Sequence, residues 1–177
     1  MRARHLSAVA AAALTLTALT APAAVSAGRP AVCSENDLTV RAEPSDDTEG
    51  VVMLSVRNDS AKACAIAGAP TVTYGDLDGA AQPRPVPHGD HRLAAHATAY
   101  AAVRSLAATE DAENQGAVVT SIKVAASPDQ GGRGFQAMTL GAPAGLRVWE
   151  PVTTPWLSST AHAEQVVRDE TEGWFAA

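Results

Sequence analysis

The chain has 177 residues, with 13 Lys and Arg against 19 Asp and Glu, a formal charge of −6 with histidine neutral, and 46% apolar residues. An acidic balance of this kind works against nucleic acid and anionic membrane as partners, since both need a basic face for affinity. The length accommodates one domain with a sizeable core and not two comfortable ones.

The N-terminus opens on Arg2 and Arg4, continues as an apolar run over 6–19, and reaches the small residues Val25-Ser26-Ala27. A membrane span needs about 20 predominantly apolar residues; this run is shorter and ends in a small-residue segment containing Pro22. Residues 1–27 are therefore read as a signal peptide, and the product is expected to be secreted and extracellular. No later stretch is long and apolar enough to span a bilayer. Without Arg2 and Arg4, eleven basic residues face nineteen acidic ones, a charge of −8 that favours solubility. The domain is read over 28–157, with 158–177 as a C-terminal tail.

Two cysteines, Cys33 and Cys64, lie in the chain expected to be exported. In an oxidising compartment the simplest outcome is one structural disulfide. The rival readings are a redox pair or metal thiolates, and neither finds the Cys-x-x-Cys spacing that depresses a thiol pKa or grips a metal. After Cys33 a polar entry leads to a short alternating strand at 38–42, and the Pro, Gly and acidic residues of 44–50 make a turn.

The central stretch is 51–74. Val52, Leu54 and Val56 alternate with Met53, Ser55 and Arg57, the two-residue period of a strand. Asn58, Asp59 and Ser60 form a turn, because their short side chains hydrogen-bond nearby backbone. A second strand restarts near Cys64 and Ile66 and resumes at Val72 and Tyr74, with a bulge or edge expected at Gly68 and Pro70. Asp76-Leu77-Asp78-Gly79 has the letters of a calcium loop but lacks its later acidic positions, and a hairpin turn at Asp78-Gly79 explains it.

The segment 82–91 carries prolines at alternate positions and suits an edge strand or an extended loop. His88 and His91 within it could ligate a metal, but no second ligand pair stands at a suitable spacing; solvated imidazoles are the commoner outcome. Residues 98–106 are read as a strand on Tyr100 and Val103, although the alanines permit a helix. Glu110, Asp111 and Glu113 mark an acidic loop, and 118–125 a strong strand with Val118, Ile122 and Val124 inward. A glycine-rich tip at 131–134 precedes a short strand at 135–140. Gly132-x-Gly134-x-x-Ala137 lacks the strand and helix of a dinucleotide site. Leu146, Val148 and Val152 are core candidates. Trp149 and Trp156 either close the core or present a face for a sugar. The tail holds a short helix at 161–169 capped by Ser159 or Thr160, and a frayed or disordered end containing Trp174 and Phe175.

These elements describe an all-β fold with a short C-terminal helix or disordered tail. With these residues in view, the chain resembles the actinobacterial secreted family known as domain of unknown function 4232. The likeness rests on Cys33 before a Leu-Thr-Val strand, on the run from Val56 to Val72 containing Arg57-Asn58-Asp59-Ser60, Cys64, Ile66, Gly68 and Pro70, on Asp78-Gly79, on Leu93-Ala94 and on Leu146-Arg147-Val148. It spans 33–156. The resemblance implies an immunoglobulin-like antiparallel β-sandwich and a Cys33 to Cys64 bridge, and it brings no established catalytic residues. The chain departs from the pattern at Ala94-Ala95-His96, where a Pro-Gly turn is frequent.

No nucleophile elbow, His-Glu-x-x-His helix or P-loop is present. The first functional expectation is a secreted, non-catalytic binding or structural module at the cell envelope or outside the cell, without a cofactor or resident metal. Its partner would be a protein or a glycan, met on a surface that includes Trp149, Trp156, His88 and His91. A second is a secreted inhibitor of an extracellular hydrolase that presents the 83–91 loop, since prolines lower the ordering cost of binding. The third is a metal-dependent hydrolase using His88, His91 or His96.

Overall fold

The computed structural model describes residues 30–105 and 116–172. The signal-peptide reading, the acidic loop with Glu110, Asp111 and Glu113, and the end with Trp174 and Phe175 lie outside the described residues. The strands in chain order are β1 (Leu38–Pro44), β2 (Val51–Asn58), β3 (Cys64–Ile66), β4 (Thr71–Tyr74), β5 (Gln82–Pro83) and β6 (His91–Leu93). They continue as β7 (Thr98–Arg104), β8 (Ala117–Val119), β9 (Ser121–Ala125), β10 (Arg133–Gln136), β11 (Leu146–Val148) and β12 (Val152–Thr153), and one helix, α1 (Thr160–Glu172), ends the described chain. The fold is mainly β, with several small sheets.

The largest sheet has the order β1-β2-β7-β12-β5. Its centre is the β2–β7 pair, where Leu54 faces Ala101 and Val52 faces Val103. The alternation in β2 explains how this sheet is used on both sides. Val52, Leu54 and Val56, with Ala99, Ala101 and Val103, point into the main core; Val51 and Ala102 point the other way and meet Ala163 and Val167 of α1. Met53, Tyr100 and Leu157 border that second cluster. Small residues along β7 let the helix approach the sheet closely.

Across the main core lies the sheet β10-β9-β4, which contributes Val72, Tyr74, Ile122 and Val124. Two further pairs, β3 with β6 and β8 with β11, complete it with Ile66, Leu93, Val119, Leu146 and Val148. The expected core residues Leu146, Val148 and Val152 are all buried.

Several expectations change. The strands are not antiparallel throughout: β5 runs parallel to β12, with Gln82 opposite Val152 and Pro83 opposite Thr153. The interruption at Gly68 and Pro70 is more than a bulge, because the chain leaves the β3–β6 pair and enters a different sheet as β4. A Cβ on Gly68 would lie 2.2 Å from the Gly89 carbonyl oxygen and 2.5 Å from the Pro87 Cβ, so only glycine lets the 85–90 loop pack here. The run 118–125 divides at Thr120 into β8 and β9, and the division shifts the inward phase by one residue. Val119 is buried while Val118 is 55% exposed, against the expected inward Val118. The strand expected over 135–140 is β10 followed by a 3-10 turn at Ala137–Leu140. At Ala94-Ala95-His96 the Ala97 N–H donates to the Ala94 carbonyl at 3.2 Å and His96 takes φ 58°, so the histidine occupies the position a glycine fills most cheaply.

Candidate functional site

The residues singled out from sequence do not form one face. Trp156 is 3% exposed, and its indole N–H donates to the Ala126 carbonyl at 3.4 Å. Its ring is a core element with little surface left for stacking. Trp149 is half-buried, and its backbone N–H donates to the Ser105 carbonyl at 2.9 Å. His88 and His91 do meet Trp156: together with Gly68, the 85–90 loop and Pro155 they line an open depression of about 420 Å³. Trp149 is not among its walls. Partial burial of His91 holds its imidazole below the ordinary histidine range by desolvation. Among the described residues no three His, Cys, Asp or Glu side chains are placed to hold a metal ion.

A second cleft, of about 400 Å³, lies beside β5. It forms because the turn after β4 and the turn before β12 flank the same short strand. Gln82 N–H donates to the Pro151 carbonyl at 2.8 Å and Arg84 N–H to the Thr153 carbonyl at 2.7 Å, which ties β5 against the 150–153 segment. Tyr74, Val148, Pro151 and Val152 supply an apolar floor, and Leu77, 38% exposed, stands at the lip. Asp78, Gln82, Arg84 and Glu150 supply the polar rim. A mostly apolar hollow of several hundred Å³ with a few polar groups at its edge is the usual form of a small-ligand site.

The electrostatics of the cleft are uneven. Tyr74 is buried beneath it, and desolvation pushes its phenol well above the ordinary tyrosine range although the Ser105 hydroxyl donates to its oxygen at 3.4 Å. The phenol therefore keeps its proton at neutral pH and forms part of the floor. Arg84 is itself engaged. Asp78 and Glu150 are exposed carboxylates on facing turns. Glu150 has φ 49°, a left-handed conformation uncommon for a residue with a Cβ, and the turn thereby holds its side chain at the cleft.

Sequence reasoning placed Asp78-Gly79 in a turn and Val148 and Val152 in the core, but it did not connect them. The connection depends on β5 pairing in parallel with a strand far along the chain, and no local pattern announces such a pairing. A family model described as Domain of unknown function (DUF4232) matches residues 33–157. No curated protein and no solved structure shows a match to the chain.

Proposed function

The chain belongs to the DUF4232 family, and from that footing we propose that it is a secreted, non-catalytic binding module whose ligand sits in the cleft between Asp78 and Glu150. It works at the cell envelope or outside the cell. The observation that carries this reading is the cleft itself: an apolar floor, a polar rim and a volume of about 400 Å³, held by backbone pairing on both sides. The disulfide between Cys33 and Cys64 and the leader-like N-terminus support export. The common core shared by the five-stranded sheet and the β10-β9-β4 sheet supports an immunoglobulin-like sandwich as the scaffold. Such a scaffold can carry binding groups on the loops at its ends.

A fragment screen followed by amide chemical shifts tests the proposal, with Ala80→Trp as the blocked control because Ala80 lines the cleft. Hits should shift Leu77, Gly79, Gln82 and Val152 and vanish in the variant. A screen whose hits all map elsewhere, or persist in Ala80→Trp, removes the cleft as the ligand seat.

One observation supports the second reading, a secreted inhibitor of an extracellular hydrolase. Val86 is 72% exposed between Pro85 and Pro87 on the loop that Gly68 admits against the core. A single apolar side chain on a proline-stiffened loop suits a small specificity pocket. Assay against a panel of extracellular serine proteases decides it: inhibition should disappear in Val86→Asp, and an uninhibited panel rejects the reading.

A further inference from the structure

The rim of the cleft is more specific than a generic pocket requires. Two carboxylates, Asp78 and Glu150, stand on the turns that flank it, and one cation, Arg84, lines it and is already engaged. Neither carboxylate has a hydrogen-bond or ion-pair partner among the described residues, in contrast to Asp59, paired with Arg57, and Glu164, paired with Arg168. Below them the floor is Tyr74, Val148, Pro151 and Val152, and at the lip the exposed Leu77 extends the apolar surface outward. Charge is thus confined to the mouth and apolar surface to the depth. The molecule as a whole is acidic, which raises the local concentration of cations and lowers that of anions.

We infer that the cleft seats a small amphiphile, an apolar body ending in an ammonium or guanidinium group, with Asp78 and Glu150 as its counter-ions. This rests on the reading of the cleft as the ligand seat and adds the class of ligand. The apolar body covers Leu77, Pro151 and the small surface that Tyr74, Val148 and Val152 leave open at the floor, and the cationic end stays at the mouth, beside the two carboxylates and hydrated by solvent. That arrangement avoids the cost of burying an ion. An anion of the same shape would meet two like charges against the single cation Arg84 at the mouth, and a neutral alcohol would keep the apolar contact alone.

Three shape-matched probes separate these outcomes: 4-phenylbutylamine, 4-phenylbutan-1-ol and 4-phenylbutyrate, each titrated into the 15N-labelled chain at low salt. The amine should shift the amides of Leu77, Gly79, Ala80, Gln82 and Val152 and bind about tenfold more tightly than the alcohol, with the acid weakest. Asp78→Asn and Glu150→Gln should each weaken the amine several-fold, about halfway in free energy to the alcohol, and leave the alcohol unchanged. Both side chains are exposed, so the fold should tolerate the exchange, and coincident thermal unfolding confirms it. Equal binding of amine and alcohol, tighter binding of the acid, or an amine affinity indifferent to both substitutions overturns the cationic ligand while leaving the cleft as a seat. Absence of shifts with all three probes overturns both.

Discussion

Asn58 shows how a turn signal becomes a buried hub. Its side chain is fully buried, and its amide N–H₂ donates to the carbonyls of Lys62 at 2.8 Å, Ala94 at 3.0 Å and Leu93 at 3.4 Å. Its oxygen accepts from the Ser60 backbone at 3.0 Å and the Ser60 hydroxyl at 2.8 Å. One side chain therefore ties the turn after β2 to the turn before β7. Asn58→Ala strips partners from several buried groups and should cost about 2–4 kcal/mol. Asn58→Asp is the sharper test. A carboxylate keeps the acceptor side but turns charge toward three carbonyl oxygens, so its folded pKa must rise above the unfolded value. Its penalty is then fully present well above that folded pKa and shrinks as pH falls through it. Urea unfolding should find Asn58→Asp at least as damaging as Asn58→Ala at pH 7 and partly recovered at pH 4. A penalty independent of pH would show that the amide protons do not hold the turn.

Among the elements, α1 is held by packing and by a polar latch. Ala163 and Val167 bury against β2 and β7, while the Glu164 carboxylate accepts from the Ser45 hydroxyl at 2.5 Å and the Thr48 hydroxyl at 2.7 Å. Arg168 donates to the Thr48 hydroxyl at 3.1 Å and lies 3.7 Å from Glu164. The Ser45 hydrogen bond, with those from Thr48 and the charge of Arg168, holds the Glu164 carboxyl below the usual range against the opposing effect of burial. A depressed folded pKa gives stability that is present above the unfolded value, about 4.3, and lost as pH falls through the folded one. Glu164→Gln keeps an acceptor oxygen for both hydroxyls and should cost about 1 kcal/mol or less at pH 7, against about 2–3 kcal/mol for Glu164→Ala. It should also flatten the loss of stability between pH 5 and pH 3, as measured by urea midpoints; an unaltered pH profile would detach the latch from the titration. At the other end of the same sheet, β5 is an edge. Gln82 and Arg84 turn their N–H groups toward β12, so Pro83 occupies the outward position, where it offers no donor to an incoming strand. Pro83→Val should leave the melting temperature nearly unchanged but raise light scattering on storage at 37 °C, whereas Pro83→Lys should not. The alternating prolines of 82–91, the period of β2, and Tyr100 and Val103 in β7 made these strands legible from sequence. The break at Thr120 was not: it carries no glycine or proline signal, yet there the chain passes from one sheet to another and the buried phase moves from Val118 to Val119. The cleft was hidden for a related reason, because it needs residues 82 and 152 side by side, and periodicity speaks only of neighbours in sequence.

At the scale of the whole molecule, the Cys33–Cys64 bridge and α1 pose one question, whether the described chain unfolds as a unit. The bridge closes a separation of 31 residues that spans β1 and β2. It also reinforces pairing that exists without it: Cys33 N–H donates to the Ala65 carbonyl at 2.9 Å and Ala65 N–H to the Ala31 carbonyl at 2.8 Å. Reduction therefore leaves the native contacts in place and acts mostly by freeing the unfolded chain, at a cost of about 3–4 kcal/mol. For a chain of this size that corresponds to a fall of about 10 °C in melting temperature. The oxidised form should also show the smaller urea m-value, because a cross-linked unfolded chain exposes less surface. The family match ends at residue 157, before α1, yet α1 buries Val167 fully and the Leu157–Tyr100 backbone pair leads straight into it. If helix and sheets form one cooperative unit, reduction and Glu164→Ala, which share no partner, should lower stability additively to within about 0.5 kcal/mol. Far-ultraviolet dichroism, which sees the helix, and tryptophan fluorescence should then give coincident transitions in every variant. An early dichroic transition in Glu164→Ala, with the fluorescence midpoint unmoved, would instead make α1 a separately melting cover on a domain that is stable without it.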